Sequence, residues 1–70
     1  VITGDLIAID PQARHVGVRL PSGEVYGVDL PQEVTLDELF LYDQVTVRFR
    51  GEPVGLRQVC PQQIVEFTLQ

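Results

Sequence analysis

The fold is decided by residues 34–50, which read VTLDELFLYDQVTVRFR. In the first part of this stretch Leu36 and Leu39 lie three positions apart, a spacing that places both side chains on one face of a helix. From Val45 onward the period becomes two, and Val45 and Val47 share one face of a strand. The stretch therefore predicts a short helix that leads directly into a half-buried strand.

The start of the predicted helix carries an N-terminal signature. Thr35 precedes the helix and Glu38 follows three positions later, which is the arrangement of a capping box. Asp37 and Glu38 lie in the first turn, where the helix dipole favours negative charge. We expect the hydrophobic core to contain five side chains of this stretch: Leu36, Leu39, Val45, Val47 and Phe49.

Further strands are expected on both sides of the stretch. Alternating apolar residues predict strands at residues 3–9, 16–20, 25–30, 45–50, 54–60 and 64–69. Short strands with turn signals about every 8–12 residues are typical of a small barrel or sandwich. We therefore expect an all-β fold in a single domain, residues 1–70: a small five- to six-stranded OB-like barrel with one short helix between strands 3 and 4. An SH3-like barrel is the alternative.

The first strand differs from the others because it is apolar on both faces. Its centre reads Leu6-Ile7-Ala8-Ile9. A strand of this kind is buried on both faces or carries a bulge that breaks the alternation. We expect a central position in the sheet or a β-bulge.

Turn and strand residues together resemble a pattern found in small bacterial β-barrel domains of unknown function with an OB-like plan. The matching positions are Gly4, Leu6, Ile9, Asp10, Ser22, Gly23, Leu36, Leu39, Asp43, Val45 and Val47. The resemblance covers roughly the first fifty residues and departs from the pattern at Tyr42, where the pattern has glycine. The resemblance implies the fold and an accessory or secreted module, with no catalytic residue and no counterpart for the last strand.

Composition narrows the range of partners. The 70 residues carry a net charge of −5, and all five cationic side chains are arginines. This acidic balance disfavours binding to duplex nucleic acid or to an anionic membrane surface. No apolar run approaches the length of a membrane-spanning helix, so we expect no membrane insertion. The chain begins with Val1 and reads as strand by Thr3, so we expect a processed chain or one domain of a larger chain.

Residues that could carry catalysis or bind a metal are few. His15 and Cys60 are the single members of their kinds, whereas a zinc site needs three or four ligands. Asp37, Glu38 and Asp43 form the densest carboxylate group, but helix capping and solubility account for them. The chain has none of the sequence motifs of the common nucleotide-binding and hydrolytic enzymes. We expect no enzymatic activity, no cofactor and no metal.

Two surfaces remain as candidates for binding. Arg48 and Arg50 share a strand face, and with Tyr26 and Tyr42 as stacking rings they would form a groove for single-stranded nucleic acid, an alternative that the net charge disfavours. The leading hypothesis is a non-enzymatic structural or protein-interaction module. The last strand is surplus to a five-stranded barrel, and it would pair with a protein partner or a second copy along an edge formed by Ile64, Val65, Phe67 and Leu69.

Overall fold

A computed structural model describes residues 1–55 and 57–69. Over these residues the chain forms six strands: β1 Ile2–Asp10, β2 His15–Arg19, β3 Val25–Asp29, β4 Gln44–Phe49, β5 Gln58–Val59 and β6 Ile64–Leu69. A 3-10 helix at Pro61–Gln63 separates β5 from β6. Five of the six strands lie within one residue of their predicted bounds.

The fifth strand is shorter than predicted. Residues 54–60 contain only β5 and an isolated bridge between Val54 and Gln58. Gly55 and Arg57 both adopt positive φ, at 64° and 57°, so the chain turns where an extended strand was expected. Leu56, also within the predicted strand, lies outside the described residues.

The strands form one mixed sheet in the order β5-β3-β2-β1-β4-β6. β5 runs parallel to β3, and the other neighbouring strands are antiparallel. The sheet curls strongly into a half-barrel, so its concave face encloses the core. The prediction of an all-β fold with six strands is confirmed.

The core is formed almost entirely by aliphatic side chains from the concave face. The buried hydrophobic residues are Ile2, Leu6, Val16, Val18, Val28, Leu30, Leu39, Val45, Val47 and Val59. Leu36 and Phe49 are half-buried and pack against this cluster. The five side chains predicted to lie inside therefore all contact the core, and Val45 and Val47 have no exposed surface.

The apolar centre of β1 is explained by a bulge, and the prediction for this strand is confirmed. β1 lies between β2 and β4, and its register with β2 shifts between Leu6 and Ala8. The shift directs Leu6 into the core, where it is fully buried, and leaves Ile7 36% exposed on the convex side. Gly4 permits close pairing at the same strand, because a Cβ there would lie 2.2 Å from the carbonyl oxygen of Arg19.

The helix predicted between strands 3 and 4 does not form, which corrects the prediction. The connector between β3 and β4, residues 30–43, is instead a series of turns closed by hydrogen bonds from Val34 N–H to Pro31, from Leu39 N–H to Leu36 and from Asp43 N–H to Phe40 carbonyl oxygens. Each bond joins residues three apart, so no α-helical turn is present in the connector. A short segment does not repay the cost of helix nucleation by itself.

Contacts from outside the connector compete with the helix. The guanidinium of Arg14, in the β1–β2 turn, donates to the carbonyl oxygens of Pro31, at 2.8 Å, and Val34. The carboxylate of Asp43 accepts from the N–H of Phe40 at 3.1 Å. These bonds hold the connector as turns while Leu36 and Leu39 still reach the core.

A single glutamine fastens the segment that leads into β6. The side chain of Gln63 accepts from the N–H of Cys60 at 3.0 Å and donates to the carbonyl oxygens of Arg50, at 3.0 Å, and Glu52, at 2.7 Å. The N–H of Arg50 donates in return to the carbonyl of Gln63. The loop after β4 is therefore tied to the 3-10 helix, and this sets where β6 begins.

Candidate functional site

The last strand lies at one end of the sheet. β6 pairs antiparallel with β4, with Leu69 opposite Val45 at one end and Ile64 opposite Phe49 at the other. Within the described residues no strand pairs with the other side of β6. An edge strand presents unpaired backbone N–H and C=O groups to solvent. β6 has six residues, whereas β5, the strand at the opposite end of the sheet, has two. The more extensive open edge of this sheet is therefore that of β6.

The side chains of the predicted edge do not share one face. The register with β4 shifts between Arg48 and Phe49, so a bulge interrupts the alternation of β6. Ile64 and Phe67 are half-buried and pack against the core. Val65 and Leu69 are exposed, at 51% and 38%. The bulge could not be found from the alternating pattern, which places Val65 and Phe67 on the same side.

A groove of about 430 Å³ runs beside the end of β6. One wall is formed by the connector, at residues 33–35, 38 and 39, and the other by Phe67, Thr68 and Leu69 of β6. We call this the β6 groove. Leu39 is buried in its floor, whereas Glu33 and Glu38 are exposed on its rim. Glu38, which the sequence assigned to helix capping, therefore lines a groove.

The alternative nucleic-acid residues are separated in the structure. Arg48 is exposed, and its Nη1 lies 3.8 Å from Oε1 of Glu66 across the β4–β6 pair. Tyr26, on β3, packs against the core and is half-buried. Tyr42 lies in the turn before β4 and is 78% exposed. Two strands, β2 and β1, lie between Tyr26 and β4, so the two rings and the arginines do not form one strip.

Arg50 and Tyr42 are held through their backbones. The N–H of Arg50 donates to the carbonyl of Gln63 at 2.8 Å, and the N–H of Tyr42 donates to the carbonyl of Leu6 at 2.6 Å. Tyr42 has φ of 72°, the left-handed region that glycine adopts most readily. The position at which the resembled pattern has glycine therefore keeps a glycine-like conformation with a tyrosine.

His15 has a partner that sequence reasoning missed. Its Nδ1 lies 2.6 Å from Oδ1 of Asp29, and Nε2 of Gln58 donates to Oδ2 of the same carboxylate at 3.0 Å. These residues form a polar row across β2, β3 and β5, with His15 directly opposite Asp29. Gly27 makes room for the row, since a Cβ there would lie 2.8 Å from Oε1 of Gln58. The signal available in the sequence was that His15 and Asp29 come opposite each other when β2 and β3 pair as a hairpin.

Metal-ligating side chains are not gathered elsewhere in the part of the chain that the structure describes. Over residues 1–55 and 57–69, no group of three or more His, Cys, Asp or Glu side chains could hold a metal ion. Cys60 is a free, half-buried thiol at the start of the 3-10 helix. No helix among the same residues has the length and hydropathy needed to cross a membrane.

A larger depression on the surface has two of its polar side chains, Arg14 and Asp29, already hydrogen-bonded within the protein. Its volume is about 770 Å³, and it lies between the β1–β2 turn, the start of the connector and the 3-10 helix. Arg14, on its wall, donates to two connector carbonyls, and Asp29 accepts from His15 and Gln58. Only Nε of Arg14 is buried without a partner among the described polar side-chain atoms.

Comparisons with protein-family models, with curated proteins and with solved structures find no match to this chain.

Proposed function

We propose that this chain is a non-enzymatic interaction module that binds a protein partner, or a second copy, by adding a strand to the outer edge of β6. The observation that carries the proposal is the position of β6 at the end of the sheet, paired on one side with β4. Strand addition uses backbone hydrogen bonds of such an edge for affinity and alternate side chains for specificity. Val65 and Leu69, both exposed, are available for the side-chain contacts.

The fastening of β6 also supports the proposal. Gln63 fixes the start of the strand through three side-chain hydrogen bonds. Pairing with β4 and the contacts of Ile64 and Phe67 with the core fix its inner side. An edge that is already ordered loses little conformational entropy when a partner strand is added.

The proposal includes an OB-like plan for the barrel, with strand addition at its open side. Support comes from the segment after β4, which runs parallel to β3 through β5 and antiparallel to β4 through β6. One segment thus contacts both ends of the β3-β2-β1-β4 run, as expected for a partly open Greek-key barrel of five strands. The parallel pair favours this plan over the SH3-like alternative.

The test combines solution mass with amide hydrogen exchange. In a dilute monomer we expect the outward-facing amides of Ile64–Leu69 to exchange rapidly, while those of the central strand β1 stay protected and act as the internal control. When a second copy or a partner pairs with β6, the same outward-facing amides become protected. A strict monomer in which all the amides of β6 are already fully protected would contradict the proposal.

The nucleic-acid alternative is tested separately. A labelled single-stranded oligonucleotide is titrated at low salt, where electrostatic binding is strongest. Salt-sensitive binding that is lost in the Arg48→Ala/Arg50→Ala variant would replace the present proposal. Absence of binding leaves strand addition as the function to pursue.

A further inference from the structure

We infer that the strand accepted by β6 is a basic one: an extended protein segment in which lysine or arginine alternates with apolar residues. This inference rests on the proposed function and adds the chemical class of the partner. The β6 groove carries the argument, because it lies beside the strand at its C-terminal half.

The groove runs beside the C-terminal half of β6. The strand contributes three consecutive residues to it, Phe67, Thr68 and Leu69. A strand added to the outer edge of β6 would run about 4.8 Å away, so part of it would lie next to these residues and the groove.

The groove combines an apolar floor with acidic rims. Leu39 and Phe67 supply the floor, and both pack in or against the core. Glu33 and Glu38 supply the rim from the connector. Neither glutamate takes part in an ion pair among residues 1–55 and 57–69, whereas Glu24 and Glu66 are paired with arginines. The rim carboxylates are therefore free to meet cations from outside the chain.

The charge of the whole chain points to the same class of partner. The net charge is −5, and no lysine is present to compensate the rim. An acidic surface accelerates association with cationic partners and repels acidic ones. A second copy carries the same net charge, so the occupant that the groove favours is a basic segment of another protein. Alternation follows from the strand geometry, since side chains of one face meet the floor and those of the other reach the rim.

The experiment uses fluorescence anisotropy with short labelled peptides. The probe alternates lysine with valine, and a second peptide replaces every lysine with glutamate. A third peptide repeats the lysine sequence with alternate backbone nitrogens methylated, which removes the donors needed for strand pairing and keeps the charge. The protein is used as wild type, as Glu33→Gln/Glu38→Gln, and as the matched control Asp5→Asn/Asp10→Asn, which changes the net charge equally at exposed sites away from the groove.

We expect the lysine peptide to bind, and we expect the glutamate and methylated peptides to bind at least about tenfold more weakly. A tenfold difference in Kd corresponds to the loss of a few exposed charge pairs or hydrogen bonds. The Glu33→Gln/Glu38→Gln substitutions should weaken peptide binding about tenfold. The control substitutions should weaken it by no more than about twofold, because charges far from the groove act on the peptide only through screened long-range electrostatics. The binding should decline with added salt.

Each contrary result identifies which proposal fails. Equal binding of the lysine and glutamate peptides, with both lost on methylation, overturns the basic class and supports strand addition. Undiminished binding of the methylated peptide overturns strand addition, and with it the present inference. Self-association of the chain without peptide binding makes the second copy the occupant, which overturns the basic class alone. If the chain neither binds the peptides nor self-associates, both strand addition and the basic class of partner are overturned.

Discussion

The four-stranded run β3-β2-β1-β4 and the connector, residues 30–43, are held together in different ways. The strands contribute seven fully buried or nearly buried side chains, among them Val16, Val18 and Val47 with no exposed surface. The connector contributes Leu30 and Leu39 to the core, and Phe40, Leu41 and Tyr42 remain exposed. Its shape depends on hydrogen bonds from polar side chains. Hydrophobic burial fixes the strands, whereas a few directional bonds fix the connector.

This difference has a consequence for the candidate site. The β6 groove has one wall in each kind of structure: strand β6 on one side and the connector on the other. The strand wall is set by pairing with β4. The connector wall is set in part by Arg14, whose guanidinium binds two of its carbonyls. Changes in the connector should therefore alter the groove without unfolding the sheet.

The largest expected effect tests the strand region through Leu6→Ala. Leu6 is fully buried, and its removal leaves a cavity, so we expect a loss of about 2–5 kcal/mol in the free energy of unfolding. A domain of this size has only about 3–5 kcal/mol to lose, so the variant should be largely unfolded in circular dichroism and urea titration. The neighbour Ile7→Ala is the control, since Ile7 is 36% exposed. Similar stabilities for the two variants would contradict the role assigned to the β1 bulge.

A smaller effect tests the connector through Arg14→Ala. The substitution leaves the carbonyls of Pro31 and Val34 without their donor, so we expect a loss of about 1–3 kcal/mol. Alanine meets the same left-handed backbone, at φ 52°, so the comparison isolates the side chain. Arg19→Ala, at an exposed position of β2, changes the charge equally and should cost under about 0.5 kcal/mol. Urea titration measures both; equal losses would show that Arg14 does not fasten the connector.

The smallest effect concerns the turn at Tyr42. Its positive φ is costly for a residue with a Cβ and not for glycine. We expect Tyr42→Gly to be more stable than Tyr42→Ala by about 1 kcal/mol, because both remove the exposed ring and only glycine relieves the backbone. Thermal unfolding of the two variants measures the difference. A more stable alanine variant would mean that the turn relaxes away from this conformation.

The candidate site was predictable in part. The sequence indicated the edge strand because Ile64–Leu69 is apolar, alternating and surplus to five strands, and its bounds are confirmed. It did not indicate the groove, because the second wall comes from Glu33 and Glu38, which lie some thirty positions earlier in the chain. Nor did it indicate that His15 and Gln58 both bind the carboxylate of Asp29, since β5 meets β3 through a parallel pairing that no local pattern specifies.

The sequence by itself determined five of the six strands of this protein and, for β2 and β4, the face that each strand buries. A period of two allows one side of each strand to leave water, and that requirement is local to the strand. Tertiary structure alone decided the conformation of the connector. Its helical spacing and capping signature were outweighed by hydrogen bonds from Arg14, which lies 17 positions before Pro31 and 20 positions before Val34. The reason is physical: a short helix gains too little from its own hydrogen bonds to resist competition from side chains brought near by the sheet.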